Sequence, residues 1–506
     1  MTKTGKYIWI GFAIMIAVSY FFGLTIPLLG PDEPRYSQIA REMFERGDWI
    51  TPKLGGFDWF EKPALLYWLQ IISFKLFGIN EFAARFGSAI FGLGTILSLR
   101  ILARKSLFKE ENDSSKRDEF ANWLALIAAS SVGLIAFSRG ASFDIILTFP
   151  ITASLVGYFI FDRSNAETFA GKYLPLVAFY FFVGVALIAK GLVGIVLPFG
   201  IVGFYHLICW KIPRKALIFS LLWGSIFSLL VAGIWYLPMY MTNGWKFIDE
   251  FFIQHHFQRY SSNKYQHPQP FWFFWVVLPL MTIPWLPFFL AAVYKRLRET
   301  FAKVGQKTGT ESSTNDQDVF ALRKFALAWM LVPLLFFSVS GSKLPGYILP
   351  ALPAALIFTA VFVFGFVQKS AFRARALQFS AFAMFLIVIL LLQFAVPKFA
   401  DADSVKRLKE AADRRGHLSE KVLNLHTISH NAEFYFAGRL VRGEDGKLRK
   451  FLGTPEIVEV LRNEPAHTAL ILVPLEYQKE LTASPEFECE ILADNGELSI
   501  VSVKLR

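Results

Sequence analysis

Apolar runs long enough to cross a bilayer recur along the first 396 residues, separated by short polar loops. They fall at about 8–29, 82–103, 119–137, 144–161, 173–189, 191–210, 216–240, 271–294, 325–340, 347–367 and 378–396. Eleven spans follow from this pattern, and eleven to thirteen if neighbouring segments split. Two stretches between the first and second runs follow a different pattern. From Pro34 to Arg46, Tyr36, Ile39, Ala40, Met43 and Phe44 share one helical face while Arg35, Gln38, Arg41, Glu42, Glu45 and Arg46 lie elsewhere. That spacing predicts an amphipathic helix in the interface plane. Residues 62–79 are apolar and aromatic but short for a span, which predicts a second interfacial or partly inserted helix.

After Pro397 the hydrophobicity becomes ordinary. Val422–Ile428, Phe434–Val441, Ala469–Pro474, Glu490–Leu492 and Ile500–Val503 read as strands. Ser404–Arg414, Pro455–Asn463 and Leu475–Leu481 read as helices. Alternation of the two types predicts a small α/β domain. The expected fold is thus an α-helical polytopic membrane protein, residues 1–396 with interfacial helices at about 31–79, followed by an α/β domain at 397–506.

Composition agrees: of 506 residues 54% are hydrophobic, 54 are Phe, and the mean hydropathy is +0.43. The first run is too long, and lacks the A-x-A site, to be a cleaved signal peptide. The net charge of +12 does not point to nucleic acid, because Lys and Arg cluster in the loops 104–117, 211–215, 295–324 and 368–377. By the positive-inside rule these loops are cytoplasmic. Lys3 and Lys6 put the N-terminus on the same side, so residues 30–80 and, after an odd number of spans, the C-terminal domain face the opposite, outward side. Within one inward loop, Lys307–Asp318 has a polar composition suited to disorder. Cys209 and Cys489 lie far apart in what read as different compartments, so neither a disulfide framework nor a cysteine zinc site is expected.

The unusual polar clusters all fall on the outward side. They are Asp32, Glu33 and Arg35; Glu61-Lys62; Ser138-Arg139 to Asp144; Gln254-His-His-Phe-Gln-Arg-Tyr260, which contains His255, His256 and Arg259; and Ser342-Lys343 to Tyr347. Ionisable groups at lipid level are expensive unless partnered or employed. Each cluster has a structural alternative. Asp32 and Asp144 could serve at helix N-termini, Glu61-Lys62 could be an interfacial ion pair, Lys343 could be an anchor, and the histidines could simply hydrogen-bond. Taken together, cations beside carboxylates suit a lipid substrate with a phosphate headgroup. Arg or Lys would hold the phosphate as a leaving group, and a carboxylate would take the proton of an attacking hydroxyl. Nothing resembles a Walker loop, a dinucleotide fingerprint or a zincin helix, which argues against ATP- or NAD-driven chemistry.

Several stretches resemble the GT-C membrane glycosyltransferases, most closely the bacterial aminoarabinose transferase (ArnT) family, a relative of the dolichyl-phosphate-mannose protein mannosyltransferases. They are Asp32-Glu-x-Arg-Tyr36, Ala40-Arg-Glu-Met43, Gly47-Asp-Trp49, Phe60-Glu-Lys-Pro63 with Tyr67-Trp68, Glu81-x-Ala-Ala-Arg85, Ser138-Arg139 to Asp144, Gln266-His-Pro-Gln-Pro270 and Lys343-Leu-Pro-x-Tyr347. The resemblance implies an inner-membrane enzyme that moves aminoarabinose from undecaprenyl phosphate to lipid A at the periplasmic face, with inversion at the anomeric carbon. It implies Asp32 as the leading catalytic carboxylate, with Asp144 a second in the same cavity and Glu33 beside them. Arg35 and Lys62 would meet the donor phosphate. Lys343 and Tyr347 would lie on a loop closing over it, and Tyr36, Arg139 and Arg259 are further substrate contacts. Glu61 with His255 or His256 matches a zinc-type metal site of the family, although transfer from a lipid phosphate requires no metal. A monomer is expected, with no nucleic-acid partner. The chain is short for a full-length aminoarabinose transferase, so another sugar, or a protein or glycan acceptor, stands as the alternative. A lipid-linked sugar transporter is disfavoured, because its charges would gather at the membrane midplane.

Overall fold

The structure is a computed structural model and describes residues 3–106, 114–164, 166, 168–258, 268–302 and 314–506. The chain packs as two compact units. The first comprises Met1–Phe22, Phe60–Leu66 and Gly87–Val388, and the second Gly23–Trp59, Tyr67–Phe86 and Ile389–Arg506. The 110-residue C-terminal segment therefore shares a unit with most of the stretch expected to be interfacial.

The first unit is helical, and the chain is a multi-pass membrane protein. Among the described residues, seven helices of the whole chain are long and apolar enough to cross a membrane: Glu81–Lys105, Phe143–Arg163, Phe169–Lys190, Lys215–Gln254, Gln317–Ser338, Pro345–Val367 and Ala371–Asp403. Two expected spans appear as the shorter apolar helices Lys6–Phe21 and Val193–Cys209.

The runs 119–137 and 271–294 are not continuous helices, contrary to expectation. The first breaks into Ser114–Ala129 and Val132–Phe137, the second into Phe273–Met281 and Leu286–Ala302. Chemistry at the breaks explains both. The hydroxyls of Ser130 and Ser131 turn back onto the carbonyls of Leu126 and Ala128, at 2.6 and 2.8 Å, and compete with the helix ladder. Pro284, in the second break, has no N–H to give. The breaks satisfy each other: Val132 N donates to Ile283 O at 2.8 Å, and the Trp285 indole donates to Ser130 Oγ at 2.9 Å. In hydrocarbon, such mutual pairing is what makes interrupted helices tolerable. Of the stretch Lys307–Asp318, expected to be disordered, residues 307–313 lie outside the described residues, while 314–318 instead open the helix Thr314–Ser338, where Asp318 pairs with Arg163.

The second unit begins with the amphipathic helix, which runs Asp32–Arg46 and buries Tyr36, Ile39, Ala40 and Met43. Gly47 stops it in the left-handed region (φ 65°), where its N–H reaches the last-turn carbonyls. A two-residue turn, Gly55-Gly56, joins strands β1 (Lys53–Leu54) and β2 (Phe57–Asp58), and both glycines have positive φ as a tight hairpin demands. The Glu42 carboxylate accepts both of their N–H groups, at 2.7 and 3.2 Å. The apolar stretch after Pro63 forms the helix Leu65–Phe77, 13 residues long and so too short to span.

The C-terminal part is the expected α/β domain. Its strands are β3 (Val422–Leu425), β4 (Lys450–Phe451), β5 (Thr468–Pro474), β6 (Phe487–Asp494) and β7 (Leu498–Leu505), in sheet order β4-β3-β5-β7-β6. β3 runs parallel to β4 and β5, while β7 is antiparallel to β5 and β6. Leu423, Ile471, Val501 and Val503 pack with Ile457 and Leu461 of the helix Thr454–Asn463. The strand expected at Phe434–Val441 is instead the short helix Ala432–Tyr435, leaving only a bridge from Leu440 to Val422. The side chains at 432–435 are buried consecutively, and a strand would have turned alternate ones to the opposite face.

Candidate active-site residues

In the second unit, Asp32 opens its helix. The N-cap position is Pro31, which offers no side-chain cap, so Asp32 sits in the first turn, where the helix dipole favours an anion. Its side chain is 56% exposed and lies 3.6 Å from Arg35 one turn on. Arg35 is itself held in place: Nη2 is 3.2 Å from His430 Nδ1, and its guanidinium lies 5.7 Å from the centre of the Trp59 ring. Because a guanidinium can only donate, Nδ1 must accept, which leaves the imidazole proton on Nε2. Burial and the adjacent Arg35 hold His430 below its ordinary pKa, consistent with a neutral acceptor.

Glu33, expected as a catalytic carboxylate, is held by a buried arginine. Arg85 grips it bidentately, with Nε at 2.9 Å and Nη2 at 2.6 Å, and also donates to the carbonyls of Leu24, Ile26 and Pro27. Leu29 N adds a bond of 2.9 Å to the same carboxylate. Both side chains are nearly enclosed, at 5% and 14% exposure. The pair braces the turn that delivers Asp32. Tyr36, a suggested substrate contact, is buried on the inner face of the helix. A second brace holds the preceding strand of chain: Gly30 N donates to Asp403 at 3.1 Å, and Leu28 N to the Tyr435 hydroxyl at 2.9 Å. Burial and neighbouring Glu81 push the Tyr435 phenol up, so it stays protonated and donates to Glu81 at 3.1 Å.

In the first unit, Asp144 lies in the first turn of the helix Phe143–Arg163. Ser142 is the N-cap, its hydroxyl accepting from Asp144 N at 3.2 Å. The Asp144 carboxylate is therefore not needed for capping. It forms an ion pair with Lys190, the last residue of the helix Phe169–Lys190. Lys190 in turn lies over the ring of Tyr347, 4.9 Å from its centre. Gly346 is required beside it, because a Cβ there would collide with the Asp144 carboxylate. Lys343, 7% exposed, donates to Ser340 O at 2.7 Å. Arg139 reaches the carbonyls of Ser19 and Phe22, the exposed acceptors at the end of the first helix. This gives Arg139 a capping job at the end of that helix. Lys62 and Glu61 pair at 2.7 Å and are largely enclosed, at 12% and 16% exposure.

Arg259 lies outside the described residues, as do the side chains of His255 and His256, so of the expected metal ligands the structure describes only Glu61. Among the described residues, no three His, Cys, Asp or Glu side chains form a metal-binding group. Two residues were missed by sequence reasoning. Lys190 passed as a loop residue, although a lysine ending an apolar helix is a signal in itself. His430, in an ordinary polar segment, carried no signal.

A polytopic helical body, an amphipathic helix opening on Asp32 and a small α/β domain make up the architecture. The family model of dolichyl-phosphate-mannose-protein mannosyltransferases matches residues 8–253. The undecaprenyl phosphate-alpha-4-amino-4-deoxy-L-arabinose arabinosyl transferase of Serratia proteamaculans is 31% identical over 357 residues, covering 69% of this chain and 58% of that protein. Its counterpart 1 in Pseudomonas fluorescens is 32% identical over 356 residues, covering 68% and 58%. The chain thus spans about three fifths of the length of these curated relatives. The crystal structure of ArnT from Cupriavidus metallidurans bound to undecaprenyl phosphate superposes with a TM-score of 0.78 at 20% identity, covering 99% of this chain and 98% of that one. The apo form gives 0.76. The chain is thus similar to the aminoarabinose transferases in sequence and shares the GT-C fold of ArnT.

Proposed function

We propose that this protein transfers 4-amino-4-deoxy-L-arabinose from undecaprenyl phosphate to lipid A at the periplasmic face of the inner membrane. The observation that carries the chemistry is Asp32, a carboxylate left half exposed on a helix whose entry is braced by Glu33–Arg85. Relatives at 31% and 32% identity that are named as aminoarabinose transferases support the donor. Lysines in the loops 295–324 and 368–377 support the orientation through the positive-inside rule.

In this reading an acceptor O–H attacks the anomeric carbon of the sugar from the face opposite the phosphate. The new C–O bond forms as the bond to the phosphate oxygen breaks, with inversion. The phosphate leaves with the bonding electron pair, and the acceptor proton passes to Asp32. Arg35, oriented by His430 and Trp59, is the cation suited to the leaving phosphate. Lys62 is a second candidate for that anion. Asp144 and Lys190 together offer a carboxylate and an ammonium for a substrate amine or phosphate. A divalent cation would find one ligand in Glu61, whose Oε1 is engaged by Lys62; no step requires such an ion. The second reading keeps the reaction and changes the sugar or acceptor, and it is favoured by the chain's covering only 58% of the relatives.

The test is mass spectrometry of lipid A from cells with and without the protein, alongside Asp32→Asn. A pentosamine increment lost in both controls is the expected result. Unchanged lipid A in the presence of the protein would overturn the acceptor and direct the search to other glycans.

A further inference from the structure

At the opposite end of the first unit from Tyr347, a cavity of about 210 Å³ opens between the helices Leu286–Ala302, Thr314–Ser338 and Leu352–Val367. Four cations line it: Lys295, Arg296, Arg323 and Lys369. Among the described residues, Glu299 is the one carboxylate in the lining, 4.0 Å from both Lys295 and Arg296. The formal charge is therefore +3, four less one. The floor is apolar and aromatic, formed by Phe358, Phe362 and Phe366. The rings of Phe362 and Phe366 pack against Phe288, at 6.4 and 5.6 Å, and Arg373 covers Phe366 at 4.5 Å. The cavity greatly exceeds the roughly 10–15 Å³ that admits a single water.

The reaction machinery has no use for this cluster. Tyr347 begins the apolar segment Pro345–Val367 and Gly365 lies near its end, 18 residues on. At 1.5 Å per residue that is about 27 Å, close to the hydrocarbon thickness of a bilayer. The cluster thus belongs to the leaflet opposite Lys190 and Tyr347. A donor headgroup held there would be a membrane's width from Asp144.

We infer that this cavity binds the headgroup of an anionic diacyl phospholipid in the leaflet where the loops 295–324 and 368–377 lie. Three features select that occupant. The excess of Lys and Arg demands a phosphate. The aromatic floor, continuous with exposed helix surface, suits glycerol and the upper acyl chain. The position at the end of three apolar helices is where basic pockets meet lipid headgroups. A free phosphate would use the cations and leave the floor unused, and a zwitterionic lipid would bring its own ammonium against the cluster.

The experiment uses the full chain in detergent and follows its melting temperature by fluorescence. Additions are phosphatidylglycerol, phosphatidylcholine, undecaprenyl phosphate and inorganic phosphate, each tested on wild type, Arg323→Gln, Lys369→Gln and the double variant. Phosphatidylglycerol should raise the melting temperature saturably. Its apparent affinity should fall about fivefold per cation removed and roughly thirtyfold in the double variant. Arg323→Lys, which keeps the charge, should retain most of the effect and guards against a folding artefact. Equal stabilisation by phosphatidylcholine, an unchanged response in the double variant, or protection by inorganic or undecaprenyl phosphate in preference to phosphatidylglycerol would each overturn the assignment.

Discussion

Lys190 closes one helix with its ammonium on the carboxylate of Asp144, which opens another, while the ring of Tyr347 lies against the same ammonium. Three segments distant in sequence are thereby fixed around one ion pair, and Gly346 provides the room for it. Lys190→Met should leave Asp144 without its counter-ion and lower transfer by about a hundredfold, the scale for losing one preorganised electrostatic group. Gly346→Ala should do similar damage from the other side, by pushing the carboxylate away. Both are checked by transfer rates in membranes normalised to the amount of inserted protein. A Lys190→Met protein of normal rate would remove this pair from the chemistry.

Asp32 differs in being half exposed, with Arg35 3.6 Å away. An exposed ion pair of this length contributes little to stability, about 0–1 kcal/mol. Asp32→Asn should therefore fold, insert and melt like the wild type while losing transfer by about 10²–10⁴-fold, the range for a general base. Melting temperature and transfer rate must separate for this to hold. A variant that both melts early and loses activity would show Asp32 to be structural.

The multi-pass character was legible because apolar runs of spanning length are imposed by lipid and need no tertiary knowledge. The amphipathic helix Asp32–Arg46 was legible too, since Tyr36, Ile39, Ala40 and Met43 repeat at helical spacing and are buried together. The breaks at Ser130-Ser131 and Pro284 were not, because hydropathy averages across them; only the bond between Trp285 and Ser130 shows that the interruptions fit each other. The Arg85 pairing of Glu33 and the backbone bonds of Arg139 were not legible, for one reason. A charge at a membrane boundary reads the same whether it awaits a substrate or holds backbone carbonyls, and the choice is made by partners such as Arg85 and Ser19, far off in sequence. Lys190 and His430 were missed for the converse reason, being ordinary residues given importance by what they touch.

The Glu33–Arg85 pair predicts a stability phenotype. Both side chains are enclosed and Arg85 also satisfies three carbonyls, so removing either partner strands the other away from water. Breaking such a pair costs about 3–5 kcal/mol. Glu33→Leu and Arg85→Met should each reduce the amount of folded protein in membranes and lower its melting temperature in detergent. Glu33→Gln, which still accepts from Leu29 N, should fall less far. If Glu33 instead took part in the reaction, Glu33→Gln would melt normally and be inactive.

His430 gives the second unit a pH dependence whose sign is fixed. Burial and Arg35 lower its folded pKa below the ordinary value of 6.5. At pH values above 6.5 the imidazole is neutral both folded and unfolded, and stability is complete. As pH falls below 6.5 the unfolded chain takes up the proton first, so stability declines until the folded pKa is passed. Protonation also turns Nδ1 from acceptor into donor and places a cation against Arg35, which releases the guanidinium from its bond of 3.2 Å. Stability should therefore decline first, from pH 6.5 downward, and transfer should follow only as the lower folded pKa is reached and Arg35 is released. His430→Gln, whose amide oxygen can still accept from Arg35, should flatten the decline while retaining most activity near neutral pH. Melting curves and transfer rates from pH 5 to 8 on both proteins decide the matter; an identical pH slope in His430→Gln would assign the decline to another group.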